Sequence, residues 1–190
     1  MDSMTGKAII HLLSGGLDSV TMLHELKSKG HLIHCLLVDY GQNHKQELVW
    51  AKDHARRLGC LWTVATIPHL GGLSDDDWVV PNRNAILLSL AVNMAVKAKA
   101  STVTIGCNLD DSDAFPDCRP TFIESMNKSV KEAGIDVEIC APYIWKRKWE
   151  IGAIAREMGI RSSDVWTCYR GGANPCGSCP ACQKLKIAMP

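Results

Sequence analysis

Short apolar runs alternate with longer stretches of helical periodicity along this chain. The first run, Ala8-Ile9-Ile10-His11-Leu12-Leu13, stops at a glycine-paired turn. Behind the turn Val20, Leu23 and Leu26 recur at helical spacing with Met22 beside them. The pattern predicts a buried strand, a loop and a helix. Residues 32–38 form a second apolar run, ending in Asp39-Tyr40-Gly41-Gln42-Asn43-His44. A near-continuous apolar strand is buried on both faces, as in a parallel sheet, and its polar end is where open α/β sheets bind ligands. Leu48, Ala51, Ala55 and Leu58 predict the next helix, with Gly59 at its C-terminal cap, and residues 61–67 a third strand.

Between Pro68 and Pro81 the pattern breaks into a loop with Gly71-Gly72, the run Asp75-Asp76-Asp77, and Trp78. The acidic run reads as a solvated charge cluster in preference to a magnesium site. Residues 85–98 are apolar nearly all round, which predicts a buried helix with Asn82-Arg83-Asn84 at its polar entrance. Residues 102–105 give a fourth strand, followed by the acid-dense stretch 106–119. Phe122, Met126, Val130 and Ala133 mark a helix, residues 137–141 a short strand, and Ile151, Ile154, Ala155 and Met158 an amphipathic helix that follows Lys146-Arg147-Lys148. This alternation predicts one α/β layered domain built on a parallel sheet. The 190 residues suit a single domain. The expected division is a main body over 1–165 with a segment over 166–190 packed on it.

The loop itself, Ser14-Gly15-Gly16-Leu17-Asp18-Ser19, joins a strand to a helix N-terminus. Backbone N–H groups in such a place form an anion nest, and the serine hydroxyls add donors. It has no Gly-Lys-Ser/Thr ending and no spaced third glycine, so it is neither the Walker loop nor the dinucleotide fingerprint. At the other end of the chain Cys168, Cys176, Cys179 and Cys182 stand among Gly171, Gly172, Pro175, Gly177 and Pro180. Four thiolates so spaced can close a tetrahedral zinc site, which with no open position would be structural. An iron–sulfur cluster is the alternative. The tail shows no apolar period of its own, so the metal would substitute for a core.

Composition narrows the setting. Hydrophobic residues make up 46% of the chain, enough for a sizeable core. A net charge of +1 gives no global field toward nucleic acid or anionic lipid. No apolar segment approaches the ~20 residues of a membrane span, and no export signal is visible, so a cytosolic protein is expected. The nine cysteines are odd in number and mostly scattered, against a disulfide framework. Of the histidines only His44, beside the second strand's polar end, is a functional candidate.

The loop resembles the PP-loop of the ATP pyrophosphatase superfamily, whose fold is Rossmann-like (adenine nucleotide alpha hydrolase-like). Assembled with Asp39-Tyr40-Gly41-Gln42, Arg83-Asn84, Phe115-Pro116-Asp117-Cys118-Arg119, Lys148-Trp149-Glu150 and Thr167-Cys168-Tyr169 before the remaining cysteines, the chain resembles the QueC family of PP-loop enzymes nearly end to end. It departs in its short acidic loop before Pro81, in Phe115 where tyrosine is common, in Ala114 where glycine is usual, and in stopping soon after Cys182.

The resemblance implies an ATP-dependent ligase that turns 7-carboxy-7-deazaguanine and ammonia into a nitrile by way of an amide, using ATP, Mg2+ and a structural Zn2+, in queuosine-type biosynthesis. It implies ATP contacts from Leu13, Ser14, Gly15, Gly16, Leu17, Asp18, Ser19, Asp39 and Tyr40. Ser14, Asp18, Ser19 and Lys148 would serve catalysis. Gln42, Arg83, Asn84, Asp117 and Arg119 would contact the deazaguanine. Bidentate guanidinium geometry suits Arg83 and Arg119 to the carboxylate or a purine-like edge. Ammonia would be free or delivered by another protein, and a homodimer is expected. The alternatives are a variant that stops at the amide or takes another carboxylate, a different PP-loop ligase or tRNA-modifying enzyme, and a zinc-ribbon nucleotide sensor.

Overall fold

The computed structural model describes residues 6–73 and 79–190. The acidic run Asp75–Asp77 and Trp78 lie outside the described residues. Five parallel strands, β1 (Ala8–Leu12), β2 (Leu32–Asp39), β3 (Leu61–Thr66), β4 (Thr102–Thr104) and β5 (Glu138–Cys140), form one sheet in the order β3-β2-β1-β4-β5. The chain builds outward from β1 on one side and then crosses to the other. β1 and β4 therefore flank the point where strand order reverses, and a crevice opens there beyond the strands' carboxyl ends.

Side chains alternate across each strand, so β1 feeds two cores. Ile9 and Leu13 pack with α1 (Leu17–Ser28), α2 (Glu47–Arg57), α6 (Lys148–Glu157) and α7 (Pro180–Ala188). Ile10 and Leu12 pack on the opposite face with α3 (Arg83–Ala98) and α5 (Pro120–Glu132). A four-residue helix, α4 (Leu109–Ser112), follows β4. Burial on both faces explains the continuous apolar character of β1 and β2. β3 is one of the two edge strands, and Leu61, Trp62 and Val64 on it are exposed.

Two expectations are corrected. The helix over 85–98 is not buried all round: α3 turns Asn84, Leu88, Ala91, Val92 and Ala95 inward, while Ile86 and Val96 face solvent. Apolar composition exceeds what one contact face can cover, and folded surfaces carry such residues. The tail, read as having no apolar period, contains α7. Pro180 opens it at a position that tolerates a missing N–H, and Ala188 and Met189 join the core shared with α1 and α6. The α6–α7 approach is close enough that a Cβ on Gly152 would overlap the Ala188 carbonyl. Among the described residues no helix is long and apolar enough to cross a membrane.

Candidate active site

The loop after β1 is organised by its own hydroxyls. Ser19 Oγ accepts from the Ser14 amide (3.2 Å), lies 3.0 Å from Ser14 Oγ, and donates to the Gly16 carbonyl (3.2 Å). Ser14 Oγ accepts from the Gly16 amide (3.3 Å). Gly16 caps α1 in extended backbone with no side chain on the helix's first turn. That leaves orphan N–H groups at the positive end of a helix, the physical basis of an anion nest. Gly15 has a φ of +89°, and a Cβ there would overlap the Glu47 carbonyl in α2. The Gly15 carbonyl accepts from the Trp166 amide at 2.9 Å, so the loop is held between α2 and the segment leading to the cysteines.

His11, which carried no functional signal in the sequence, braces this loop from below. It is fully buried in β1, and burial lowers its pKa to about 4. The neutral ring donates from Nε2 to the Ser19 carbonyl (2.8 Å) and accepts at Nδ1 from the Thr104 hydroxyl (2.8 Å). Both nitrogens are thereby used in tying α1 to β1 and β4.

The charged end of the site lies where the loop meets β4 and α6. Lys148, in the first turn of α6, sets its Nζ 2.6 Å from Asp18 Oδ2. Asn108, buried after β4, donates to the same oxygen (3.0 Å) and to Asp111 Oδ2 (2.5 Å), and its own Oδ1 accepts from the Asp111 amide (3.0 Å). Lys184 of α7 reaches Asp111 Oδ1 at 3.2 Å. Burial pushes the Asp18 carboxyl up, Lys148 draws it back down, and Asp111 opposes Lys148. Asp18 Oδ1 is buried with no hydrogen-bond partner among the described residues. A carboxylate oxygen so placed has capacity for a cation.

From there a cleft of about 260 Å³ runs along the strand ends toward α3. Arg83 Nη1 donates to the Tyr40 hydroxyl (3.1 Å), its guanidinium lies over the Tyr40 ring, and its buried Nε has no partner among the described residues. Such a buried donor has capacity for an acceptor from outside the chain. Asn84 turns inward: Asp117 Oδ2 accepts from its backbone amide (3.1 Å), and its side-chain amide donates to the Asp117 carbonyl (3.1 Å) and the Cys118 sulfur (3.4 Å). Glu47 also lines the cleft, and burial raises its pKa to about 7 against the opposing effects of Gln42 and Arg83.

The sequence-based candidates divide cleanly. Leu13, Ser14, Gly16, Leu17, Asp18, Ser19, Tyr40, Arg83, Asn84, Asp117 and Lys148 line the one cleft. His44 lines it as well, its pKa lowered to about 4 mainly by burial. Gly15, within the loop, faces Glu47 of α2 and does not line the cleft. Gln42 is buried beneath the wall, where its Oε1 accepts from the Tyr40 amide (2.9 Å) and its Nε2 donates to Glu47 Oε1 (2.9 Å). Asp39 stands outside, accepting from the Gly41 amide and paired with Lys45. Arg119 is exposed and donates through Nε to the Ser112 carbonyl (3.0 Å), away from the cleft. Sequence reasoning did not single out Asn108, Asp111, Glu47 or Lys184. The first two fall in the acid-dense stretch flagged at the end of β4, whereas Glu47 and Lys184 carry no local signal.

The four cysteines converge. All four sulfurs lie within 4.8 Å of one another, with Cys176 and Cys182 4.0 Å apart. Tetrahedral thiolate ligation at about 2.3 Å per bond puts sulfurs nearly this far apart. The Cys176 amide donates to the Cys168 sulfur and the Cys179 amide to the Cys176 sulfur, each at 3.3 Å, which favours thiolates. The donor set thus fits a closed metal site. Stripping the metal with a chelator should lower Tm by about 8–16 °C, as loss of a structural metal of roughly 4 kcal/mol does in a domain of this size. Cys179→Ser should lower bound metal by elemental analysis and Tm by calorimetry together; a metal-free protein of undiminished Tm would refute the structural role.

The family model for the queuosine biosynthesis protein QueC matches residues 7–77 and 74–189. The chain is 39% identical to the 7-cyano-7-deazaguanine synthase of Pseudoalteromonas translucida, over 95% of this chain and 92% of that one. It is also 39% identical to the synthase of Chromohalobacter salexigens, over 97% and 82% respectively. Among solved structures, the U34-tRNA thiolase NcsA of Methanococcus maripaludis, with its [4Fe-4S] cluster, superposes with a TM-score of 0.61 at 15% identity, covering 97% of this chain and 65% of that one. The NH3-dependent NAD synthetase of Campylobacter jejuni superposes at 0.54 and 19% identity, covering 86% and 69%. At such identities these two establish the fold alone. With the family model spanning almost the whole chain and full-length relatives at this identity, the chain belongs to the QueC family.

Proposed function

We propose that this protein is an ATP-dependent carbon–nitrogen ligase that converts 7-carboxy-7-deazaguanine and ammonia to 7-cyano-7-deazaguanine. One observation carries the reading: a loop built for pyrophosphate and a buried, anion-seeking Arg83 open into the same cleft. A carboxylate is a poor acyl donor because its leaving group would be oxide. Adenylation removes the obstacle: a carboxylate oxygen attacks the α-phosphorus, pyrophosphate departs, ammonia attacks the carbon, and AMP leaves with the C–O bonding pair. A second adenylation, on the amide oxygen, followed by loss of AMP and two protons, gives the nitrile.

Residues 14–19 and the start of α1 receive the pyrophosphate, a preorganised electrostatic role. Lys148 adds a cation there, and Arg83 holds the substrate carboxylate. Asn84 and Asp117 form the wall beside it, positioned for the deazaguanine ring. Arg119, turned outward, has no part in this assignment. Asp18, through its unpartnered oxygen, and Asp111 would hold Mg2+, whose charge would offset that of the phosphates. Cys168, Cys176, Cys179 and Cys182 would hold zinc, which would fasten residues 166–190 to the main body as part of one domain. A cytoplasmic homodimer drawing on free or delivered ammonia fits this assignment.

Purified protein given 7-carboxy-7-deazaguanine, ammonium and Mg-ATP should release AMP and a product that mass spectrometry identifies as the nitrile. Amide without nitrile would indicate a truncated reaction. Absence of AMP release dependent on the carboxylate would overturn the reading.

A further inference from the structure

The reaction proposed above leaves a proton problem that its phosphate-handling residues do not solve. Ammonia in neutral water is almost entirely ammonium, with four N–H bonds, and a nitrile nitrogen has none. Every one of those protons must leave beside the reacting carbon. A proton acceptor in the cleft therefore has to serve repeatedly.

The bases that line the cleft are mostly committed elsewhere. Asp18 Oδ2 is bound to Lys148 and Asn108 while its Oδ1 is the oxygen assigned above to Mg2+, Asp111 is bound to Asn108 and Lys184, and Asp117 Oδ2 accepts from the Asn84 amide. His11 spends both ring nitrogens on the loop and β4. His44 is a weak base at about 4, and the Tyr40 hydroxyl accepts from Arg83 while burial pushes its pKa up. Glu47 differs. Gln42 fixes its Oε1 at 2.9 Å, leaving Oε2 facing His44 Nε2 at 3.7 Å, beyond hydrogen-bonding distance. The charged and titratable groups around it are His44 from the turn before α2, Tyr40 from the end of β2 and Arg83 from α3. Its backbone abuts Gly15, so its wall lies between the pyrophosphate loop and the carboxylate-seeking Arg83.

We propose that Glu47 is the catalytic proton acceptor for the nitrogen that becomes the nitrile. The inference rests on the ligase reading given above. Glu47 takes a proton from ammonium, and the freed lone pair forms the C–N bond as the C–O bond to AMP breaks and its electron pair leaves on the phosphate. The nitrogen then yields a second proton to reach the amide. After the second adenylation it yields a third to give the neutral imidate. It loses the fourth as the C≡N bond forms and AMP departs again. Each proton passes to the Glu47 carboxylate and on to water at the open cleft. A carboxyl titrating at about 7 accepts and returns protons near neutral pH, the match a general base needs.

The test separates the nitrogen steps from adenylation. Pyrophosphate–ATP exchange driven by the carboxylate substrate involves no nitrogen. Conversion of supplied amide to nitrile adds to one adenylation the loss of both remaining N–H protons. Glu47→Gln should slow amide-to-nitrile conversion by about a hundredfold or more, within the usual range for loss of a general base. It should remove the rising limb of the pH–rate profile near 7 and reduce exchange at least tenfold less than it reduces nitrile formation. Glu47→Asp should recover part of the loss. Hydroxylamine, a nucleophile unprotonated at neutral pH, should trap the adenylate in Glu47→Gln faster than ammonium does. Exchange and nitrile formation falling in step would overturn the proposal in favour of a structural role. A raised KM for the carboxylate with an unchanged pH profile would overturn it in favour of ring recognition. Failure of exchange in the unsubstituted protein would instead sink the ligase reading itself.

Discussion

Lys148→Met should lower kcat by about two to three orders of magnitude, the loss typical of removing one preorganised charge from a developing anion. The ammonium is nearly buried and 2.6 Å from Asp18, whose other neighbours are the neutral Asn108 and the like-charged Asp111. Removing one partner of such a pair leaves an uncompensated carboxylate and costs about 3–5 kcal/mol of stability. Stability and chemistry are separable by a second change. Asp18→Asn in the Lys148→Met background removes the stranded charge and should recover most of the lost Tm, while kcat stays low. Recovery of both would show that Lys148 acts only through folding. Arg147→Met supplies the comparison: Arg147 pairs with Asp110 on the surface, more than half exposed, and its loss should change kcat less than threefold.

Gly15→Ala should weaken ATP binding more than a hundredfold. At a φ of +89° an L side chain is strained by about 1–3 kcal/mol, and the added Cβ would occupy the space of the Glu47 carbonyl. Displacing the first turn of α2 adds about 1–3 kcal/mol of overpacking. Together these come to about 2–6 kcal/mol, a range centred above the roughly 2.7 kcal/mol that a hundredfold in affinity represents. Calorimetric titration with a non-hydrolysable ATP analogue measures the loss, and circular dichroism checks that the sheet survives. Gly72→Ala, in open space with ordinary backbone, should leave affinity unchanged. Equal affinities for Gly15→Ala and the unsubstituted protein would mean that the loop tolerates a different path.

Periodicity and turn chemistry made most of this architecture legible, because the forces that set them are local. A strand buried on both faces must be apolar throughout, so β1 and β2 announced themselves. The loop between β1 and α1 could be read because an anion nest demands glycine and small hydroxyls at fixed spacing. α7 was hidden because its helical state depends on packing against α6 more than on any run of its own. The same reason hid Lys184 and Glu47, which reach the cleft by tertiary placement from helices whose sequences look ordinary. Arg119 shows the converse: a guanidinium in a suggestive motif turns outward to the Ser112 carbonyl, and its sequence neighbours could not reveal that direction.

The bond from the Trp166 amide to the Gly15 carbonyl also has a temporal meaning. In synthesis the loop residues are made about 150 residues ahead of Trp166, Lys184 and Ala188, and at ribosomal speeds of about 5–20 residues per second that gap is on the order of ten seconds. Throughout that interval the nascent chain carries the loop without its Trp166 clamp, and for most of it without Lys148. On the function proposed above, competence to bind nucleotide arrives with the cysteine segment, the last-made part that holds the loop.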